Sequence, residues 1–194
     1  MKQLEAKPVK DRDVDETIAL ASGSAVQRKA ALGALASDLR RNPNLAEDPD
    51  VMKRLREATK DRELARDALR LLASLPGPTP VDVIYDIWVG TKGRTPTTEL
   101  AEALVFTKEV RAKASPALAV ALDLREAETC EQVKPVVMRA IEHGDRRSLR
   151  LLGKLTLRYG CGPGKVKDCW ECLRGEDTIT DAINAARKRP EPKL

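Results

Sequence analysis

The sequence predicts an all-α fold, a right-handed α-solenoid of stacked helical hairpins, and three observations carry that prediction. Aromatic residues make up only 3% of the chain, and its apolar content is mainly Leu and Ala. Those residues lose little on entering a helix, whereas pleated sheets favour aromatic and β-branched side chains. The apolar residues also recur at steps of three and four, the spacing of one helix face. Finally, the helix-start signals return at a fixed interval: Asp61, Thr95 and Thr129 are 34 residues apart at each step. Thr79 and Ser115 fall between them and open the second helix of each pair. Two helices with short turns, repeated at such a period, bury their apolar stripes only against neighbouring pairs.

The elements follow in order. Residues 1–13 are charged, contain Pro8 and read as a flexible tail. A short helix from Val14 to Ser22, closed by Gly23, opens a helical repeat domain over 14–160. Ser24 with Gln27, and Thr129 with Gln132, match the capping box, in which a hydroxyl and an amide satisfy backbone N–H groups reciprocally. Thr79-Pro80, Thr95-Pro96 and Ser115-Pro116 set a capping hydroxyl before a proline at the first helical position, where the missing N–H costs nothing. Asp50, Asp61, Asp145 and Asp177 are the caps expected for the remaining helices. The apolar stripes run Leu32, Leu35, Ala36, Leu39; then Leu64, Ala65, Ala68, Leu71, Leu72, Leu75. Later come Leu149, Leu152, Leu155, Tyr159 and, last, Ile179, Ala182, Ile183, Ala186. The helix from 116 to 126 is apolar almost all round and should lie between neighbours.

On period and capping, the stretch from Ser24 to Arg158 resembles HEAT or armadillo-type repeats. Pro135 inside the helix opening at Thr129 fits, since such repeats often kink their first helix. The resemblance implies a right-handed solenoid with a binding surface on its inner helices. A compact irregular helical bundle is the alternative.

Thirty-five Lys and Arg oppose thirty Asp and Glu, a net charge of +5, which is ordinary for a mixed-sign surface. The excess is local: from Lys134 to Arg174 there are ten basic residues and four acidic ones. No apolar run approaches the roughly 20 residues that a spanning helix needs, so membrane insertion is not expected. The opening Met1-Lys2-Gln3-Leu4-Glu5 has no signal-peptide core. A cytoplasmic location is expected if the chain is complete as written.

Cys130, Cys161, Cys169 and Cys172 leave three readings open. Cys169 and Cys172 stand at the two-residue spacing that presents a pair of zinc ligands, with Cys161 a third and Cys130 or His143 a fourth. An even number of cysteines around the Gly162-Pro163-Gly164 turn also suits disulfides. Reduced thiols packed as small hydrophobes are the plain reading. No other cofactor is expected. The segment 161–190 reads as a cysteine-containing cap with a final helix, part of the same domain.

Within it, Asp168-Cys169-Trp170-Glu171-Cys172-Leu173-Arg174-Gly175, followed by a short helix and Arg189-Pro190, is similar to the C-terminal regions of some myxobacterial eukaryotic-type Ser/Thr protein kinases. The likeness covers about thirty residues. It implies a bacterial sensing or docking part of a signalling protein, lying outside the kinase domain and facing an oxidising, extracytoplasmic space. The chain lacks the Gly-rich loop, catalytic His-Arg-Asp and Asp-Phe-Gly of a kinase.

No catalytic constellation stands out. His143, the single histidine, sits at a helix end where it can meet the last carbonyls. Asp82 and Asp86 at i, i+4 read as a solvated face. Arg146, Arg150, Lys154 and Arg158 fall at steps of four, one ridge of one helix, joined by Arg147 and followed by Lys165, Lys167 and Arg174. Such a ridge on a curved scaffold can meet phosphates, but a solvated face is the plainer explanation. Trp88 follows Ile84 and Ile87 in helical register, as a core residue would, while Trp170 in the cysteine turn is a candidate contact residue.

The expectation is therefore a non-enzymatic protein–protein interaction or scaffold module whose main partner is another protein. The alternative is a nucleic-acid-binding helical repeat acting through Arg146, Arg147, Arg150, Lys154 and Arg158.

Overall fold

A computed structural model describes residues 23–175 and 177–192. The tail read over 1–13 and the helix read over Val14–Ser22 lie outside them. The described residues form helices joined by turns and loops, with no strand among them: α1 (Ala25–Arg41), α2 (Pro49–Ala58), α3 (Ala65–Ser74), α4 (Thr79–Gly90), α5 (Pro96–Val105), α6 (Lys108–Arg111), α7 (Pro116–Glu126), α8 (Cys130–His143), α9 (Arg146–Leu155) and α10 (Thr178–Lys188). The chain divides after Lys113 into two compact units. That boundary falls inside the segment 14–160 read as one repeat domain, between the two long helices of its middle hairpin. The cysteine segment belongs to the second unit with α7, α8 and α9.

Most helix starts follow from the capping residues. Ser24 and Thr129 form complete capping boxes with Gln27 and Gln132. Thr95 forms one with Thr98, and Ser115 and Asp145 accept from backbone N–H groups of α7 and α9. Asp177 stands at the N-cap position of α10 without a side-chain cap hydrogen bond, and three other starts differ. Asp48, not Asp50, caps α2, accepting from the N–H groups of Asp50 and Val51, because Pro49 takes the first helical position. Thr79 lies inside α4, and its hydroxyl donates to the Glu47 carboxylate instead of capping. Asp61 accepts from the Glu63 N–H in the turn before α3 and pairs with Arg28 at 2.7 Å. The Glu63 N–H, with the Arg28 charge, holds the Asp61 carboxyl below the usual carboxylate range.

In the first unit, α3 packs on α2, α4 and α5, and α4 packs on α5. Leu55, Leu64, Leu69, Leu72 and Ile84 are its largest fully buried side chains, along with Leu39 and Met52. Trp88 is half-buried, meeting Tyr85 and Phe106 edge-on with ring centroids 5.8 and 5.5 Å away. Lys113 closes the unit. Its ammonium donates to the carbonyls of Ala73 and Leu75 at 2.5 and 2.7 Å, satisfying the C-terminal end of α3. Burial there lowers the Lys113 pKa.

In the second unit, α7 packs on α8 and α9, and α10 packs on α8 and α9 in turn. Leu118, Leu122, Val137 and Leu152 fill the space between them, consistent with the apolar girth of α7. The last turn of α8 is closed by Arg189, which donates to the carbonyls of Ile141 and Gly144 at 2.9 and 3.1 Å. Gly144 fits there because a Cβ would stand 2.6 Å from the Ala140 carbonyl oxygen.

Candidate functional site: a stapled, cationic element

α9 stops at Leu155, one turn sooner than the apolar stripe through Tyr159 predicts. The reason is local. Gly160, Gly162 and Gly164 all adopt left-handed φ angles, which a helix cannot accommodate. Tyr159 is consequently 62% exposed instead of buried.

From Thr156 to Lys167 every residue is exposed. Burial therefore does not order this stretch; covalent and polar bonds do. Cys161 is disulfide-bonded to Cys169, with Cα atoms 5.1 Å apart, and Cys130 at the start of α8 to Cys172, with Cα atoms 5.9 Å apart. The first staple closes a small loop. Cys161 and Lys167 exchange two backbone hydrogen bonds of 3.0 Å across it, and Lys165 N–H donates to the Gly162 carbonyl at 3.0 Å. A Cβ at Gly162 would come within 2.9 Å of the Lys167 side chain. The second staple ties the turn Glu171–Leu173, through which Leu173 enters the core, to the base of α8.

Asp168 and Arg174 lock the element onto the end of α9. The guanidinium donates to both carboxylate oxygens, at 2.7 and 2.9 Å, and also to the Leu157 carbonyl at 2.8 Å. Asp168 also accepts from the Trp170 N–H at 2.7 Å. The Arg174 hydrogen bonds hold the Asp168 carboxyl below its usual range, aided by the Trp170 N–H and by the charges of Arg174 and Arg158.

The cysteine readings narrow here. All four sulfurs are engaged in disulfides, so the thiolates that zinc requires are absent in this state. Among the described residues no group of three or more His, Cys, Asp or Glu is arranged to hold a metal. His143, the suggested fourth ligand, closes the opposite end of the 14-residue α8 from Cys130, about 20 Å away at 1.5 Å per residue.

The basic ridge also changes. Arg146, Arg150 and Lys154 are exposed on α9 as read. Arg147 is not part of that surface: its side chain is 7% exposed and pairs at 2.7 Å with Asp145, itself 4% exposed. It also donates to the Ser115 hydroxyl. Arg158 lies beyond the helix end, beside Asp168. Trp170 is half-buried, its backbone engaged in the turn.

What the sequence reading missed is the tip of the stapled loop. Val166 is 74% exposed and stands between Lys165 and Lys167, both exposed. Lys165 takes a left-handed φ of 56°, uncommon for a residue with a side chain. The alternating glycines from 160 to 164 were the available signal.

No protein-family model matches this chain, and neither a curated protein nor a solved structure matches it significantly.

Proposed function

We propose that this chain is a non-enzymatic protein-interaction module, its helical hairpins stacked in the manner of HEAT-like repeats and serving as a rigid base for the stapled element. The observation that supports it is the order of Thr156–Lys167 without burial. The Cys161–Cys169 disulfide ties this segment to the residues that follow it, where the Asp168–Arg174 ion pair and the Cys130–Cys172 disulfide anchor the chain, although the segment itself adds almost nothing to a core. Such fixing lowers the entropy lost when the segment engages a partner. A disulfide pair of this kind persists in an oxidising space, which favours the extracytoplasmic reading of the kinase-tail likeness over a cytoplasmic one. The nucleic-acid reading is weakened by the withdrawal of Arg147 into an ion pair and of Arg158 from the helix ridge.

Photo-cross-linking tests the proposal. A photoreactive phenylalanine analogue replaces Val166, or Val26 on α1 as an exposed control, in cells that express the protein natively. Discrete protein adducts from position 166 and none from 26 are expected. Absence of adducts from 166, or nucleic-acid adducts with DNA binding abolished by Arg150→Glu and Lys154→Glu, overturns it.

A further inference from the structure

We infer that the stapled loop and the exposed face of α9 bind an acidic protein segment carrying interspersed apolar side chains. This rests on the interaction reading above and names the chemistry of its partner.

Two observations lead there. No acidic residue occurs from Arg146 to Lys167, while Arg146, Arg150, Lys154, Arg158, Lys165 and Lys167 are all exposed in that interval. Arg158 lies near Asp168, and the other five cations form no ion pair with another of the described residues. A run of cations in which only Arg158 has an acidic neighbour, Asp168, raises the local concentration of an anionic partner and speeds its capture. The second observation is the apolar tip. Val166 and Tyr159 are exposed in the same stretch of chain, and the Cys161–Cys169 staple holds the loop that carries Val166 between Lys165 and Lys167. Pure phosphate binding gives an exposed valine between two lysines nothing to touch. A peptide with apolar residues among its acids does.

Other anionic partners fit less well. A bilayer needs a larger apolar face than one valine and one tyrosine for stable attachment. Base stacking on single-stranded nucleic acid needs several aromatic platforms, and Tyr159 is the sole aromatic residue between Arg146 and Lys167.

The test compares binding of the whole chain, disulfides intact, to poly-glutamate, to a glutamate–tyrosine copolymer, to a 24-base-pair DNA duplex and to vesicles with ~30% phosphatidylserine. The copolymer is expected to bind about tenfold more tightly than poly-glutamate. Lys165→Glu with Lys167→Glu should weaken it at least about tenfold, and Val166→Ser with Tyr159→Ser should remove most of the copolymer's advantage. All these positions are exposed, so the variants are expected to fold, which far-UV circular dichroism of each checks. Equal affinity for the two polymers, indifference to both double variants, or preference for DNA or vesicles overturns the inference. If it fails while position 166 still cross-links to discrete proteins, only the acidic chemistry falls; if both fail, the interaction reading falls with it.

Discussion

Arg174 donates to both carboxylate oxygens of Asp168 and, with the same guanidinium, to the carbonyl of Leu157 just past the end of α9. One side chain thus joins the disulfide-bonded turn to the helix that carries the exposed cations. The arrangement is geometric as well as electrostatic, because only a planar fork reaches all three acceptors.

That geometry sets a titration. The folded pKa of Asp168 lies below the ordinary carboxylate value, chiefly because Arg174 donates to the ionised form. Its contribution is therefore fully present above the unfolded-state pKa and disappears as pH falls through the folded one. Carbon-detected NMR of the Asp168 carboxyl should titrate below a typical aspartate. Arg174→Lys should move it upward, since an ammonium cannot bridge both oxygens. An unchanged midpoint in that variant removes the bidentate lock.

The two staples should differ in strength. Cys130–Cys172 spans 42 residues and Cys161–Cys169 spans 8, so loop-closure entropy assigns about 4 kcal/mol to the first and about 2.5 kcal/mol to the second. Urea unfolding of the paired serine variants measures this. The 130/172 pair should lower stability more, and the 161/169 pair should chiefly loosen the loop. The reverse order contradicts the assignment of the long staple as the structural one.

Arg147 and Arg150 are neighbours on α9 with opposite roles. Arg147→Ala leaves Asp145 buried without its cation and should cost about 3 kcal/mol. Arg150→Ala, on the exposed face, should stay within about 0.5 kcal/mol. Thermal or urea unfolding of the two variants, with any anionic binding measured alongside, separates them. Similar losses would mean that Arg147 is not held as an internal ion pair.

Lys165 sits at a left-handed φ, a conformation that costs a side-chain-bearing residue about 1–2 kcal/mol. Lys165→Gly relieves that strain while giving up some unfolded-state order, so stability should stay level or rise by up to about 1 kcal/mol. Binding to the acidic copolymer should nevertheless weaken. Gly162→Ala, by contrast, forces a Cβ against Lys167 and should lower the melting temperature. Loss of stability in Lys165→Gly would argue against a strained backbone at this position.

Helix identity, most caps and most buried stripes were legible in the residues themselves. Ser24, Thr95, Ser115, Thr129 and Asp145 act where their hydroxyl or carboxylate chemistry says they should, because capping is settled within a few residues of chain. Local signals also carry the answer at two sites where the expected boundary differs from the observed one. Pro49 fixes Asp48 as the cap of α2, and Gly160 ends any helix through Tyr159. What tertiary structure alone decided is pairing. Which cysteine meets which, Arg147 turning inward to Asp145, and Lys113 and Arg189 closing distant helix ends all join residues far apart in sequence or choose between faces of one helix. Periodicity records which face of a helix is apolar, but the partner across a contact is fixed only when whole helices pack and bring particular atoms within bonding distance.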